Sequence, residues 1–146
     1  MKSWWNRRPP GFAARTLHIY LGEFESRVGY PAIQGHEFAG VIVEVGSEVS
    51  GYNVGDRVTV DPVISCHGCP ACITGHVNAC RTLKLLGIDL DGGYGQYVAA
   101  PASHLYKVPD GVPMAHAAMV EMYALGHHIL QRGRVQPGET VAIVGT

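Results

Sequence analysis

The residues with the most chemistry in this 146-residue chain are its four cysteines, Cys66, Cys69, Cys72 and Cys80, set as a C-x2-C-x2-C-x7-C run in CHGCPACITGHVNAC. Two-residue gaps let consecutive thiolates turn toward one point. The longer excursion brings back a fourth, which suits the tetrahedral shell of a structural zinc with sulfurs at about 2.3 Å. Disulfides would be strained at such spacings and need an oxidising compartment. An iron-sulfur run of the bacterial ferredoxin type closes with a three-residue gap and a proline after its last cysteine. Here Pro70 follows the second cysteine and the last gap is seven residues. Gly68, Pro70 and Gly75 permit sharp turns in a loop with little apolar content of its own, which a metal would order. A shell filled by four thiolates leaves no open position, so its expected role is folding or subunit contact.

A second set of metal-capable residues is spread along the chain. His36 and Glu37 follow Gly35 at the start of an apolar stretch, where a rigid element could aim an imidazole and a carboxylate into a cleft. The competing reading is an exposed polar turn. Glu121 lies in the apolar stretch AAMVEMYAL, where burying a carboxylate costs several kcal/mol unless a cation or metal pairs with it. Its alternative is a helix-face carboxylate in water. The remaining histidines, His18, His67, His76, His104, His116, His127 and His128, read mostly as bystanders, although His67 and His76 lie within the cysteine loop.

These residues need elements to carry them. Stretches rich in β-branched residues, bounded by Gly, Pro, Asn or Asp, predict strands over 38–45, 57–61, 94–100 and 104–108, with the cysteine loop as an excursion between strands. Ala115, Ala118, Met119, Met122, Leu125 and Leu130 recur at helical spacing and predict a helix over 114–131, interrupted by Gly126. The closing TVAIVGT, 140–146, has the pattern of the first strand of a dinucleotide-binding unit. Gly145 stands where the first glycine of G-x-G-x-x-G falls, but the rest of that motif is absent, so the chain is not expected to hold a dinucleotide by it.

Hydrophobic residues make up 47% and charged residues 16%, with a formal net charge of -1, which argues against both disorder and a grip on nucleic acid. Nineteen glycines and nine prolines signal tight turns and short strands. The best apolar run, 38–43, is cut off by Glu44 and is too short for a membrane span. The opening MKSWWNRRPPGFAAR lacks the apolar core of a secretory signal, so a cytoplasmic protein is expected.

In GHEFAGVIVEVG (35–46), VGDRV (54–58), the cysteine run (66–80), DGGYGQYV (91–98), LYKVPDGV (105–112), TVAIVGT (140–146) and LHIYLG (17–22), the chain resembles the zinc-dependent alcohol dehydrogenases of the medium-chain type, on their polyol and threonine dehydrogenase branch. The resemblance implies a mainly β fold with α: an incomplete GroES-like (chaperonin-10-like) β barrel with a helix leading into the first strand of a truncated Rossmann domain. It divides the chain into a disordered, foreign-looking 1–15, a partial catalytic domain over 16–136 and the start of a nucleotide-binding domain over 137–146. It implies that Cys66, Cys69, Cys72 and Cys80 hold a structural zinc, that His36 and Glu121 are ligands of a catalytic zinc, and that Glu37 is a direct or alternating ligand. Gly145 becomes the cofactor-binding candidate. The implied reaction passes hydride between an alcohol or polyol and NAD(P), with the zinc as Lewis acid.

Three departures temper this. The family's first zinc ligand is a cysteine in a C-G-S/T-D-x-H pattern, and counting back from His18 puts that position at Ala13, with Ala14, Arg15 and Thr16 replacing the residues that follow. The opening residues do not match the family, and the sequence ends at the first cofactor-domain strand. The expectation is therefore a catalytic-domain fragment with a weakened catalytic zinc, no bound NAD(P) and no turnover alone, associating through unpaired strand edges into homo-oligomers or aggregates. Met122 stands where the family usually has proline. The alternative function is a zinc-stapled binding or interaction module in which only the cysteine loop matters.

Overall fold

The structure is a computed structural model that describes residues 3–5, 14–23 and 26–144. Its order is β1 (Ser3–Trp5), α1 (Ala14–Tyr20), β2 (Ala39–Ile42), β3 (Arg57–Val60), β4 (Val63–Ile64), α2 (Pro70–Ile73), β5 (Lys84–Leu85), β6 (Tyr97–Ala99), β7 (Leu105–Lys107), α3 (Met114–Ala117) and α4 (Val120–Gly133). Five strands form one antiparallel sheet in the order β6-β1-β2-β3-β7, and β4 pairs with β5 as a separate ribbon.

The four strands expected from β-branched content are all present, shortened at their ends to β2, β3, β6 and β7. They are strands because their alternate side chains meet in one core: Phe38, Ile42, Val58, Val60, Leu86, Val98, Ala100 and Leu105 cluster out of solvent. Ile42 is wholly buried, and sequestering a side chain of that size contributes about 2 kcal/mol. Two smaller clusters flank it. Ile19 of α1 packs with Val28 and Ile88, while Ala39 and Val108 pack against Ala117 of α3. Arg57 ties α3 and the segment before it to the sheet, donating from Nε to Met114 Sδ and from Nη2 to the Val112 carbonyl.

Several expectations need correction. Ser3–Trp5, placed in a disordered N-terminus, pair on both sides, with Trp4 opposite Ile42 and Val98. The helix expected over 114–131 is two helices. The break falls at Ala118 and Met119, where the Met119 N–H bonds back only three residues to His116, while α4 runs unbroken through Gly126. Helical spacing of apolar residues cannot see this change of backbone pitch, and an interior glycine costs only about 1 kcal/mol, too little to end a helix. Residues 140–144 are not a strand; Val144 is 94% exposed, and no neighbour among the described residues supplies the ladder that a strand requires. Gly145 and Ala13 lie outside the described residues. Among those residues no helix is long and apolar enough to cross a membrane.

Candidate metal centres

The cysteine loop builds its site locally. Pro70 opens α2 at a position where the missing N–H costs nothing, and Cys69 and Cys72 sit at the entry and within the helix. A 3-10 turn at Val77–Ala79 then returns the chain to Cys80. His67 adopts φ 53°, the left-handed turn that follows the first cysteine. One Sγ from each cysteine lies within 4.8 Å of all the others. The Cys69–Cys72 and Cys66–Cys72 sulfurs are 3.5 and 3.9 Å apart. A tetrahedron with 2.3 Å bonds has edges of about 3.8 Å, whereas a disulfide needs about 2.05 Å, so the four thiols stand at ligand spacing and are unbridged.

Their protonation is uneven. Backbone N–H groups of Gly68 and Cys69, with the Cys80 and Thr82 side chains, hold the Cys66 thiol down at about 6. Cys69 is lowered chiefly by N–H groups of Arg81 and Cys72. Burial pushes Cys72 up to about 11, helped by its three thiol neighbours. A cation in the middle reverses that penalty, because a coordinating thiol gives up its proton.

The second centre is assembled from distant segments. His36 and Glu37 precede β2, and Glu121 lies in the first turn of α4. One ligand atom from each falls within 4.8 Å of the other two. His36 Nε2 lies 3.9 Å from Glu37 Oε1, and their side chains are only 14% and 7% exposed. Two carboxylates crowded together with one of them buried are stable when a cation shares the site. One imidazole nitrogen and two carboxylate oxygens form a donor set suited to zinc with a position left open. His36, Glu37 and Glu121 are thus brought together, and so are the four cysteines.

A cleft of about 560 Å3 opens beside Glu121, lined among others by Thr59, Asp61, Val63, Asn78, Leu125 and His128. Sequence reasoning passed over these, His128 included, because nothing in their local spacing marks residues from β3, the cysteine loop and α4 as neighbours. It also passed over the close approach at Gly87 and Gly92, whose lack of side chains admits the backbone of 34–35, and at Gly93, which the Phe38 side chain packs against. The glycine pair within DGGYGQYV was the available signal, since glycines can mark a close backbone approach.

Comparison with known proteins places this geometry in context. Residues 11–110 match the family described as "Alcohol dehydrogenase GroES-like domain". The chain is 38% identical over 135 residues to the starvation-sensing protein RspB of Escherichia coli K12, covering 92% of this chain and 40% of that protein. To sorbitol dehydrogenase of Bacillus subtilis it is 37% identical over 141 residues, covering 92% of this chain and 39% of the relative. A crystal structure of an alcohol dehydrogenase from E. coli CFT073, complexed with NADH, superposes with a TM-score of 0.81 at 37% identity over 95% of this chain and 38% of that one. The chain therefore spans about 40% of the length of the curated relatives it matches.

Proposed function

The chain belongs to the alcohol dehydrogenase GroES-like domain family, and from that premise we propose that it is the zinc-binding catalytic portion of an NAD(P)-dependent alcohol or polyol dehydrogenase. The single observation that carries this reading is the convergence of His36 and Glu37, before β2, with Glu121 of α4, 84 residues further along the chain. An interaction module held by the cysteine loop alone has no need of that convergence.

In this reading Cys66, Cys69, Cys72 and Cys80 hold a zinc that orders the loop, and His36, Glu37 and Glu121 hold a second. Bound there, the second ion supplies Lewis acidity toward an alcohol oxygen. The two carboxylates would balance the charge of a divalent ion, and the His36 imidazole would supply its nitrogen donor. Glu37 is buried, so its side of the site excludes water, while Glu121 faces the cleft. Val63 and Leu125 line that cleft with apolar surface for a carbon chain, and Thr59, Asp61, Asn78 and His128 offer partners to hydroxyl groups. The hydride acceptor we assign is NAD(P), by analogy with the NADH-bound relative. Its pyrophosphate cradle would begin at Gly145. Four unbridged thiols suit a reducing compartment, and we place the protein in the cytoplasm. The apolar residues exposed along α4 and over 141–144 favour self-association of the chain by itself.

Cobalt(II) tests the assignment. A chain whose cysteines are loaded with zinc should take one cobalt at the second centre, show d-d bands, and shift them when sorbitol or ethanol is added. His36→Ala should abolish both the bands and the shift. A protein that takes no cobalt beyond the cysteine site would refute the reading.

A further inference from the structure

The segment that delivers His36 and Glu37 rests on a platform to which the functional reading above gives no part. N–H groups of Gly92, Gly93 and Tyr94 donate to the carbonyls of Ile33, Gly35 and Gln34 at 2.7, 2.8 and 2.9 Å, and the Ile33 N–H donates to Asp91 Oδ1 at 3.1 Å. Gly35 has φ +97°, a left-handed turn that hands the chain to His36. It is gripped from both sides. A Cβ on Gly87 or Gly92 would fall 2.4 or 2.1 Å from the Gly35 carbonyl oxygen, so the two backbones are in direct contact. On the other side lies the Tyr94 ring, whose Cδ1 would be 2.4 Å from a Cβ built on Gly35.

Tyr94 also reaches away from the platform. Its hydroxyl lies 3.1 Å from Thr16 Oγ1 on α1, 78 residues distant in sequence. Thr16 is 9% exposed, and one turn later Ile19 packs with Ile88 beside Gly87. The ring therefore lies against Gly35 along its Cγ–Cδ1–Cε1 side, while its hydroxyl stays within hydrogen-bond reach of Thr16.

We propose that Tyr94 is a positioning residue for metal binding at His36, Glu37 and Glu121, acting through the contact of its ring with Gly35. The proposal rests on the reading of that cluster as a metal site. Without the ring, a glycine in a left-handed turn regains backbone freedom, and the imidazole that follows it loses its aim. Partners that orient ligands without touching the metal typically govern about 10- to 100-fold in affinity.

The test is cobalt(II) titration of the full 146-residue chain with its cysteines already loaded with zinc. Tyr94→Ala should weaken cobalt binding about tenfold or more and alter the d-d bands. Tyr94→Phe, which keeps the ring, should stay within about threefold of the wild type with the same bands. If Tyr94→Ala fails to fold, as judged by circular dichroism, Tyr94→Leu is read in its place, since it keeps apolar bulk without the flat face. A truncated variant with wild-type affinity and bands would overturn the proposal and leave the metal site standing. Tyr94→Phe as damaging as the truncation would also overturn it, since the ring would then not be the support. A wild-type chain that takes no cobalt beyond the cysteine site would overturn the functional reading itself.

Discussion

In the cysteine loop, the first and last cysteines lie fourteen positions apart, and the turns between them draw on the loop's own Gly68, Pro70 and Gly75. The proposed second centre would draw its donors from positions 36, 37 and 121, and every one is aimed by something else: the turn at 91–94, the sheet through β2, and α4. A locally coded site needs its metal to fold. A distributed site needs the fold to exist before it can bind. The two should therefore fail differently, the first through loss of a ligand and the second through loss of remote support.

The largest expected effect tests the local half of that contrast. Cys80→Ser should lower zinc affinity at the cysteine site more than about a hundredfold, since metal binding and loop order are one event there, and should leave the second centre's affinity nearly intact. Competition against a chromophoric chelator measures both. Equal loss at the two sites would mean that the centres are coupled.

Gly92→Ala probes the distributed half. Its Cβ would sit 2.1 Å from the Gly35 carbonyl oxygen and 2.5 Å from Gly87 Cα, both backbone atoms that cannot simply rotate aside. The expected cost is about 2–3 kcal/mol of stability in chemical denaturation, with the second centre weakened and the cysteine site unchanged. Glu121→Gln, which keeps shape and removes charge, should weaken the second centre about tenfold or more without lowering stability. A melting temperature that falls with it would show that Glu121 is structural.

The smallest effect concerns the ion pair of Arg27 with Asp89. Arg27 donates to both carboxylate oxygens of Asp89 at 3.1 and 2.5 Å, and Asp89 Oδ2 also accepts the Leu85 N–H at 2.8 Å. Burial works to raise the Asp89 pKa, but Arg27 and the Leu85 N–H together outweigh it and hold the carboxyl below its ordinary value. A pKa depressed by folding contributes stability that is fully present above the unfolded value, about 3.9, and is lost as pH falls through the folded one. Asp89→Asn should therefore cost about 1 kcal/mol at pH 7, as expected for a partly exposed pair, and the gap to the wild type should close below about pH 4. A gap independent of pH would assign the loss to packing.

What the sequence revealed follows the same division. The cysteine run could be read as one site because its spacing is its geometry. His36 and Glu37 were visible only as an adjacent pair, and Glu121 only as a charge in an apolar stretch, because convergence across 85 residues is a property of tertiary structure. β2, β3, β6 and β7 were legible from β-branched runs, whereas β1, β4 and β5, each two or three residues long, carry no period to detect. The missed break between α3 and α4 and the missed platform at 91–94 share a cause. Both are set by backbone approach, which side-chain patterns report poorly, although the glycines of the platform left a trace.

The most direct test is the zinc content of the purified, reduced chain by elemental analysis, before and after mild chelation. Two zincs per chain, one removed readily and one retained, is the result expected of a local site beside a distributed one. A single tightly held zinc before chelation, unchanged by His36→Ala or Glu121→Gln, would contradict it and leave the cysteine loop as the only metal centre.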